Sequence, residues 1–230
     1  MTPRPAVSRR IVLATRNPAK VRELASMMRV PTVRWASLDA YPPRRPMRED
    51  QMTFRDNAVK KALAVARHTR AWALAYDSGL VVSSLSGEPG IRSARYAGRH
   101  GDDHANNRKL LRRLAGKPAK DRRAAFHCVL VLAAPEGVVA VIEGVWRGRI
   151  ATEGRGRRGF GYDPIFWLPS LRRTSAELSP SMKNRLSHRG RAAARMRQVL
   201  RRLTARASVA AGQGAGSGRR ARSATAAPRG

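Results

Sequence analysis

A single cysteine, Cys128, in 230 residues excludes an internal disulfide and any zinc site built on several thiolates. It sits in the apolar run Phe126 to Leu132, typical of a central strand, so a buried, inert thiol is expected. Histidine is sparse too, with five in the chain and no His-Glu-x-x-His pair among them, which removes the helical zinc-hydrolase motif. No hydrophobic run approaches membrane-spanning length. The basic start, residues 1–10, is followed by an apolar stretch that ends at Ala14, too short for a signal-peptide core. A soluble, cytoplasmic protein is therefore expected. Aromatic residues make up only 5% of the chain. They fall in apolar runs and one glycine-rich loop instead of alternating with basic residues as stacking platforms for single-stranded nucleic acid.

Acidic residues are scarce relative to basic ones: Asp+Glu 15 against Lys+Arg 47 gives a formal charge of +32. Such a charge predicts anionic partners and salt-sensitive association, and it keeps open an arginine-rich nucleic-acid binder. Its distribution points elsewhere. Lysine occurs only at Lys20, Lys60, Lys61, Lys109, Lys117, Lys120 and Lys183; arginine supplies the rest, alongside many Ala, Gly and Pro. That is the pattern of compositional drift on an ordinary fold. The end of the chain, with Arg206, Arg219, Arg220, Arg222 and Arg229 and no acid, lacks hydrophobic periodicity, so residues 207–230 are expected to be a disordered Arg/Ala/Gly/Ser-rich tail. An anion-binding arm is the alternative. Residues 1–9 read as a flexible start and 10–206 as one folded domain, long enough to bury a core.

What is present begins with Ile11-Val12-Leu13-Ala14-Thr15-Arg16-Asn17-Pro18-Ala19-Lys20. Four apolar residues predict a short buried strand, a polar turn follows, and Val21, Leu24, Ala25 and Met28 repeat at helical spacing. Asn17 stands where an N-cap belongs and Pro18 where the first helical residue tolerates a missing N–H. The free amides of such a helix start attract anions, and Lys20 adds a positive charge suited to phosphate. An ordinary capped helix would carry the same pattern, and the loop lacks the Gly-Lys-Ser/Thr of a Walker A sequence, so its role rests on the rest of the chain.

Further along, Val33 to Trp35 predicts a second strand and Pro42, Pro43 and Pro46 an extended loop ending at Glu49. Thr53 with Asp56 gives a capping-box-like start to a helix whose apolar face is Ala58, Ala62, Val65 and Ala66. Ala71 to Ala75 reads as a strand with Asp77 at its end, where sites in α/β proteins gather. Gly87 to Gly90 forms a turn, and a helix follows from about Asp103 to Leu114. The runs Ala124 to Ala133 and Val138 to Trp146, joined by Pro135-Glu136-Gly137, predict a β-hairpin. A glycine- and arginine-rich loop ends in Phe160-Gly161-Tyr162-Asp163-Pro164, and Ile165 to Leu168 return to the core. Ser179-Pro180 starts a short helix, Ser187-His188-Arg189-Gly190 breaks it, and Ala193, Met196, Val199, Leu200 and Leu203 mark a last amphipathic helix.

Taken together in this order, Thr15 to Lys20, Glu49 with Thr53-Phe54 and Asn57-Ala58, Asp77-Ser78-Gly79-Leu80, Gly87 to Gly98, Gly159 to Phe166 and Ser187-His188-Arg189-Gly190 form a set that resembles the inosine/xanthosine triphosphate pyrophosphatase family. The resemblance spans roughly Arg10 to Leu203. It implies an α/β fold of two lobes, elongated, around a central mixed β-sheet flanked by helices, with the active site in the cleft between lobes. It also implies a homodimer, dependence on Mg2+, and hydrolysis of ITP, dITP and XTP to the monophosphate and pyrophosphate.

Water attacking a triphosphate needs negative charge neutralised, which a hard cation held by one or two carboxylates and phosphate oxygens achieves. The resemblance assigns Asp77 and Glu49 to that task, with Asp77 either holding the metal or accepting the proton of the attacking water. Thr15, Arg16, Asn17, Pro18, Ala19, Lys20 and Ser78 are the expected phosphate contacts, and Lys60 is a further candidate. For the base, Phe160 is the expected stacking ring, with Gly161, Tyr162, Asp163, Lys183, His188 and Arg189 around it. Hydrogen-bond donors at the base edge suit the 6-keto group of hypoxanthine and xanthine and mismatch the adenine amine.

Two departures from the family pattern stand out. Arg16, Ala19 and Arg157-Arg158 occupy positions where glycine or other small residues are usual, and Tyr76 replaces the first of two adjacent acids before Ser-Gly-Leu. On this reading one carboxylate is missing from the expected site, and a weakened or inactive nucleotide-binding homologue is the alternative.

Overall fold

The computed structural model describes residues 8–15, 24–43 and 50–217. Seven strands form one mixed sheet in the order β2-β1-β3-β4-β5-β6-β7. Strand β1 (Arg9–Leu13) lies parallel to β2 (Val33–Ser37) and to β3 (Trp72–Val82). From β3 onward the ladder is antiparallel, through β4 (Arg123–Ala134), β5 (Gly137–Ile150), β6 (Phe166–Leu168) and β7 (Arg173–Thr174). The predicted hairpin is β4–β5. The two-residue Glu-containing turn suits it, and β4 is buried along nearly its whole length, as a continuous apolar run requires.

Among the described residues, four longer helices cover the sheet: α1 (Phe54–Thr69), α2 (Asp103–Arg113), α3 (Pro180–Leu186) and α4 (His188–Ser217). The starts at Thr53 and Ser179 follow the sequence reading, and Asp102, not read there as a cap, acts in the same way. Thr53 accepts the Asp56 amide, Asp102 that of Ala105, and Ser179 that of Met182, each satisfying an orphan N–H of a first turn.

Alternation along β3 and β4 sorts the core by face. Ala73, Ala75, Val129, Val131 and Ala133 pack with Ala58, Ala62, Val65 and Ala66 of α1. Leu74, Cys128, Leu130 and Leu132 pack with Ala192, Ala193, Met196 and Leu200 of α4. Beyond the end of β1, the continuing lengths of β3, β4 and β5 enter a further cluster built on Leu80, Phe126, Trp146, Ile150, Phe166, Leu110 and Leu114. The long strands thus run through two regions of core, the arrangement expected of a two-lobed α/β fold.

Three boundaries differ from expectation. Asp77 is not at a strand end: β3 continues to Val82 because β4 goes on supplying partners, Asp77 opposite Val129 and Gly79 opposite His127. It is the parallel neighbour that stops, with the last β1–β3 pair at Leu13 and Leu74. Second, the break before the last helix is Ser187 alone. Ser187 closes α3 and its hydroxyl accepts the Gly190 amide, so a single residue serves as the end of one helix and the cap of the next. Third, α4 runs to Ser217, past the boundary set at 206. Ala207, Ala210 and Ala211 are strong helix formers and extend a helix already nucleated on the sheet, against the weak helix propensity of Gly212, Gly214 and Gly216. Residues 218–230 lie outside the described residues.

Candidate active site

The reactive strand is β3 beyond Leu74. Ala14 donates its N–H to the Leu74 carbonyl at 2.9 Å, so Thr15, at the start of the opening loop, lies beside β3 a few residues before Asp77. Asp77 is half-buried, and its Oδ1 accepts the backbone N–H of Ser78 at 2.9 Å. By the alternation of β3, Asp77 shares the α1 face with Ala73 and Ala75, while Tyr76 packs against the cluster on the α4 face. The tyrosine that replaces the expected acid therefore points away from Asp77. The idea that its loss removes a carboxylate from beside Asp77 does not hold on this geometry.

With β1 finished, the outer edge of β3 is completed by the turn after Gly87. Val82 donates to Glu88 O at 3.1 Å and accepts from Gly87 at 3.1 Å. Ser93 Oγ accepts the Leu80 amide at 2.9 Å and donates to Gly90 O at 2.6 Å, standing in for a strand carbonyl. The approach is close enough to require glycine at 79. A Cβ there would lie 2.5 Å from Ser93 Oγ, 2.6 Å from Gly90 O and 2.7 Å from the Phe54 ring.

The second part of the site is the loop at Gly159–Asp163. Phe160 is 52% exposed, with the Arg189 guanidinium 4.4 Å and the Lys183 ammonium 5.1 Å from its ring centroid. Asp163, only 3% exposed, fixes this group: it accepts the Phe160 amide at 2.9 Å and the Ser175 hydroxyl at 2.8 Å, and it pairs with Lys183. Gly159, at φ 84°, passes so close that a Cβ would overlap the Asp163 carboxylate. Both polar groups of Gly161 are held by one face of α2. Its N–H goes to Asp103 at 2.6 Å and its carbonyl accepts from Asn107 at 3.0 Å.

Two expected base contacts prove to be interior. Tyr162 is buried and its hydroxyl donates to Ser93 O at 2.9 Å; burial raises its pKa well above the usual phenol. Asp163 has both carboxylate oxygens engaged as just described. These two shape the loop from behind and do not form its open surface. His188 is 4% exposed and stacked on Phe126 at 4.7 Å. Burial, then Arg189, Lys183 and His127, lower its pKa far below the ordinary imidazole value, so its ring is neutral near pH 7. Its Nδ1 has no partner among the described residues.

Lys60 pairs with Asp50 at 2.5 Å, and that contact brings the Asp50 pKa down to about 2. Asn57, buried, accepts the Gln51 amide and so anchors the segment just after Glu49 to α1. Glu49, Arg16, Asn17, Pro18, Ala19 and Lys20 lie outside the described residues. Sequence reasoning missed Asp103, Asn107, Ser175 and Phe126. Asp103 was visible only as a helix start and Phe126 only as part of an apolar strand, and Asn107 and Ser175 gave no local signal.

The family model described as the Ham1 family matches residues 11–199. The chain belongs to the Ham1 family. Among curated relatives, the dITP/XTP pyrophosphatase of Desulforamulus reducens is 46% identical over 194 residues, covering 84% of this chain and 96% of that protein. That of Leifsonia xyli subsp. xyli is 48% identical over 197 residues, covering 85% and 97%. Among solved structures, a HAM1 protein from Coxiella burnetii is similar at a TM-score of 0.77 and 40% identity, over 84% of this chain and 98% of that one. A dITP/XTP pyrophosphatase from Mycobacterium abscessus is similar at 0.71 and 44%, over 81% and 97%. The Ham1-family match covers the sheet, β3 with Asp77 and the Phe160 loop, and stops within α4. Among the described residues no helix is long and apolar enough to cross a membrane.

Proposed function

We propose that this chain hydrolyses non-standard purine nucleoside triphosphates, ITP, dITP and XTP, to the monophosphate and pyrophosphate. The observation that carries the reading is the exposed Phe160 ring flanked by Lys183 and Arg189. Both side chains only donate hydrogen bonds, so a base stacked there is welcomed when its edge accepts, as a 6-keto purine does, and is mismatched when it presents the adenine amine. A site that leaves polar groups unpaired with the wrong base discriminates strongly. The names of the relatives agree with this substrate class.

In the reaction a water oxygen bonds to the α-phosphorus and the bond to the bridging α–β oxygen breaks, releasing pyrophosphate. Asp77 accepts the proton of that water or orients it. Thr15, Asn17, Lys20 and Ser78 bind the phosphates, and Arg16 adds charge at the same loop. A hard divalent cation, magnesium, suits the oxygen donors of Asp77 and Glu49. These two carboxylates would hold it together with water and phosphate oxygens, an arrangement that does not call for three or more converging side chains, of which there is no group among the described residues. When bound it neutralises charge developing on the phosphate oxygens. The domain carrying this activity spans 10–206, acts as a homodimer, and works in the cytoplasm on the nucleotide pool.

The test is pyrophosphate release from ITP against ATP with magnesium, with Asp77→Asn as control. ITP turnover well above ATP turnover, lowered about 10²–10⁴-fold by the substitution, is the expected result. Release no greater than the Asp77→Asn background favours an inactive nucleotide-binding homologue.

A further inference from the structure

The two halves of the site, the strand of Asp77 and the loop of Phe160, come from distant parts of the chain; they share a core cluster that holds both Leu80 and Tyr162, and one residue bonds directly to each. Ser93 faces both. Its hydroxyl is bonded to Leu80 N and Gly90 O, with no room for a Cβ on Gly79 between them. Its carbonyl accepts the Tyr162 hydroxyl. On the loop side, the neighbouring Gly161 is fixed by Asp103 and Asn107 of α2, and Asp163 ties Phe160, Ser175 and Lys183 into one unit. Every step from Leu80 to Phe160 is a hydrogen bond or a covalent bond between close neighbours, and the Ser93–Tyr162 bond is the direct tie between the two parts, beside the longer route through α2, whose Asn106 holds Ala94 and Ala97.

We propose that the bond from the Tyr162 hydroxyl to the Ser93 carbonyl is a positioning link that sets where a bound base stands relative to Asp77. Tyr162 is buried with its hydroxyl on Ser93; it acts through the loop it carries and the strand it reaches. Base identity is then felt in turnover as well as in binding. A keto purine seated on Phe160 brings its α-phosphorus to Asp77 in register, and a base that does not seat leaves it out of register. A misplacement on the scale of an ångström is costly to a reaction that depends on alignment. The inference rests on the proposed pyrophosphatase reading.

The experiment compares kcat and KM for ITP and ATP in the full chain, in Tyr162→Phe and in Asp103→Ala. Tyr162→Phe keeps the buried ring and removes only the hydroxyl. Asp103→Ala frees the Gly161 amide while Asp102 still caps α2, so it provides a second route to the same loosening if the first variant folds poorly. Losing one buried hydrogen bond is expected to lower kcat for ITP about 5–10-fold, with KM changed less than about 2-fold and ATP turnover unaltered, so that selectivity falls. A structural role alone would lower the thermal midpoint and scale both substrates equally. An ITP/ATP ratio unchanged in an active Tyr162→Phe enzyme, or in Asp103→Ala where Tyr162→Phe does not fold, overturns the link and leaves the activity standing; a wild-type chain with no turnover on ITP, dITP or XTP overturns the activity itself.

Discussion

Tyr76 and Asp77 are adjacent in sequence, yet their side chains belong to different faces of the sheet, Tyr76 with the α4 cluster and Asp77 with the α1 side. An acid restored at 76 would enter the partly buried packing against Leu74 and Leu130 and would not reach the Asp77 side. Tyr76→Asp is therefore expected to leave ITP turnover within about 2-fold and to destabilise the fold by about 1–3 kcal/mol, the range for burying an unpaired polar group. Steady-state rates and denaturant midpoints check both; a clear rise in turnover would return the residue to the reaction site.

His188 makes a different prediction at the same scale. Its native pKa lies below the unfolded value, so below about pH 6.5 the unfolded chain takes up a proton that the native state refuses. Stability is then retained above that pH and falls as pH decreases, at up to about 1.4 kcal/mol per pH unit for one proton. His127, shifted the same way by burial, adds to the slope. Chemical denaturation between pH 8 and pH 5 should show the decline, and His188→Gln should flatten it. An unchanged slope would assign the proton elsewhere.

Among the elements, α4 has the most demanding seat. Its first turn rests on Gly144 of β5, where a Cβ would lie 2.0 Å from the His188 carbonyl and 2.9 Å from the Ala192 amide. Gly190 of the same turn touches the α3 backbone just as closely. Neither glycine has positive φ, so their requirement comes from proximity alone. Gly144→Ala should cost about 1–3 kcal/mol by overpacking and should tilt the turn that carries His188 and Arg189, raising KM for ITP as well as lowering the unfolding midpoint. A change in midpoint with KM untouched would separate the seat of the helix from the site.

Helix α1 and the β4–β5 hairpin were legible because periodicity, caps and turn residues act locally. Thr53 with Asp56 caps the first, and Pro135-Glu136-Gly137 joins the two strands of the second. The extent of β3 was not legible. The apolar run ends at Ala75, which placed Asp77 at the strand's end, and it is the partner strand β4 that keeps the chain extended to Val82. The start of α4 was hidden for a similar reason, since Ser187 caps one helix while ending another, and a glycine in the first turn looks like a break.

On the scale of the molecule, a charge of +32 rests on a fold whose relatives are named as nucleotide pyrophosphatases. If drift is its origin, affinity for random duplex DNA at physiological salt should be no tighter than the ~10⁻⁶ M limit of ordinary non-specific binding, and should decline steeply as salt is raised. Tighter binding would identify a dedicated nucleic-acid surface in addition to the nucleotide site.

The sequence by itself determined the α/β class, the hairpin, the caps and the family resemblance. It also brought forward Asp77, Phe160, Lys183 and Arg189, because residue type, spacing and order along the chain carry that information. The tertiary structure alone decided that Tyr76 and Asp77 part company across the sheet and that Tyr162 and Asp163 face inward. It also decided that Ser93, Asp103 and Asn107 hold the base loop. Those facts depend on which strand continues beside β3 once β1 ends, and on contacts between residues far apart in the chain. Local pattern carries no trace of either.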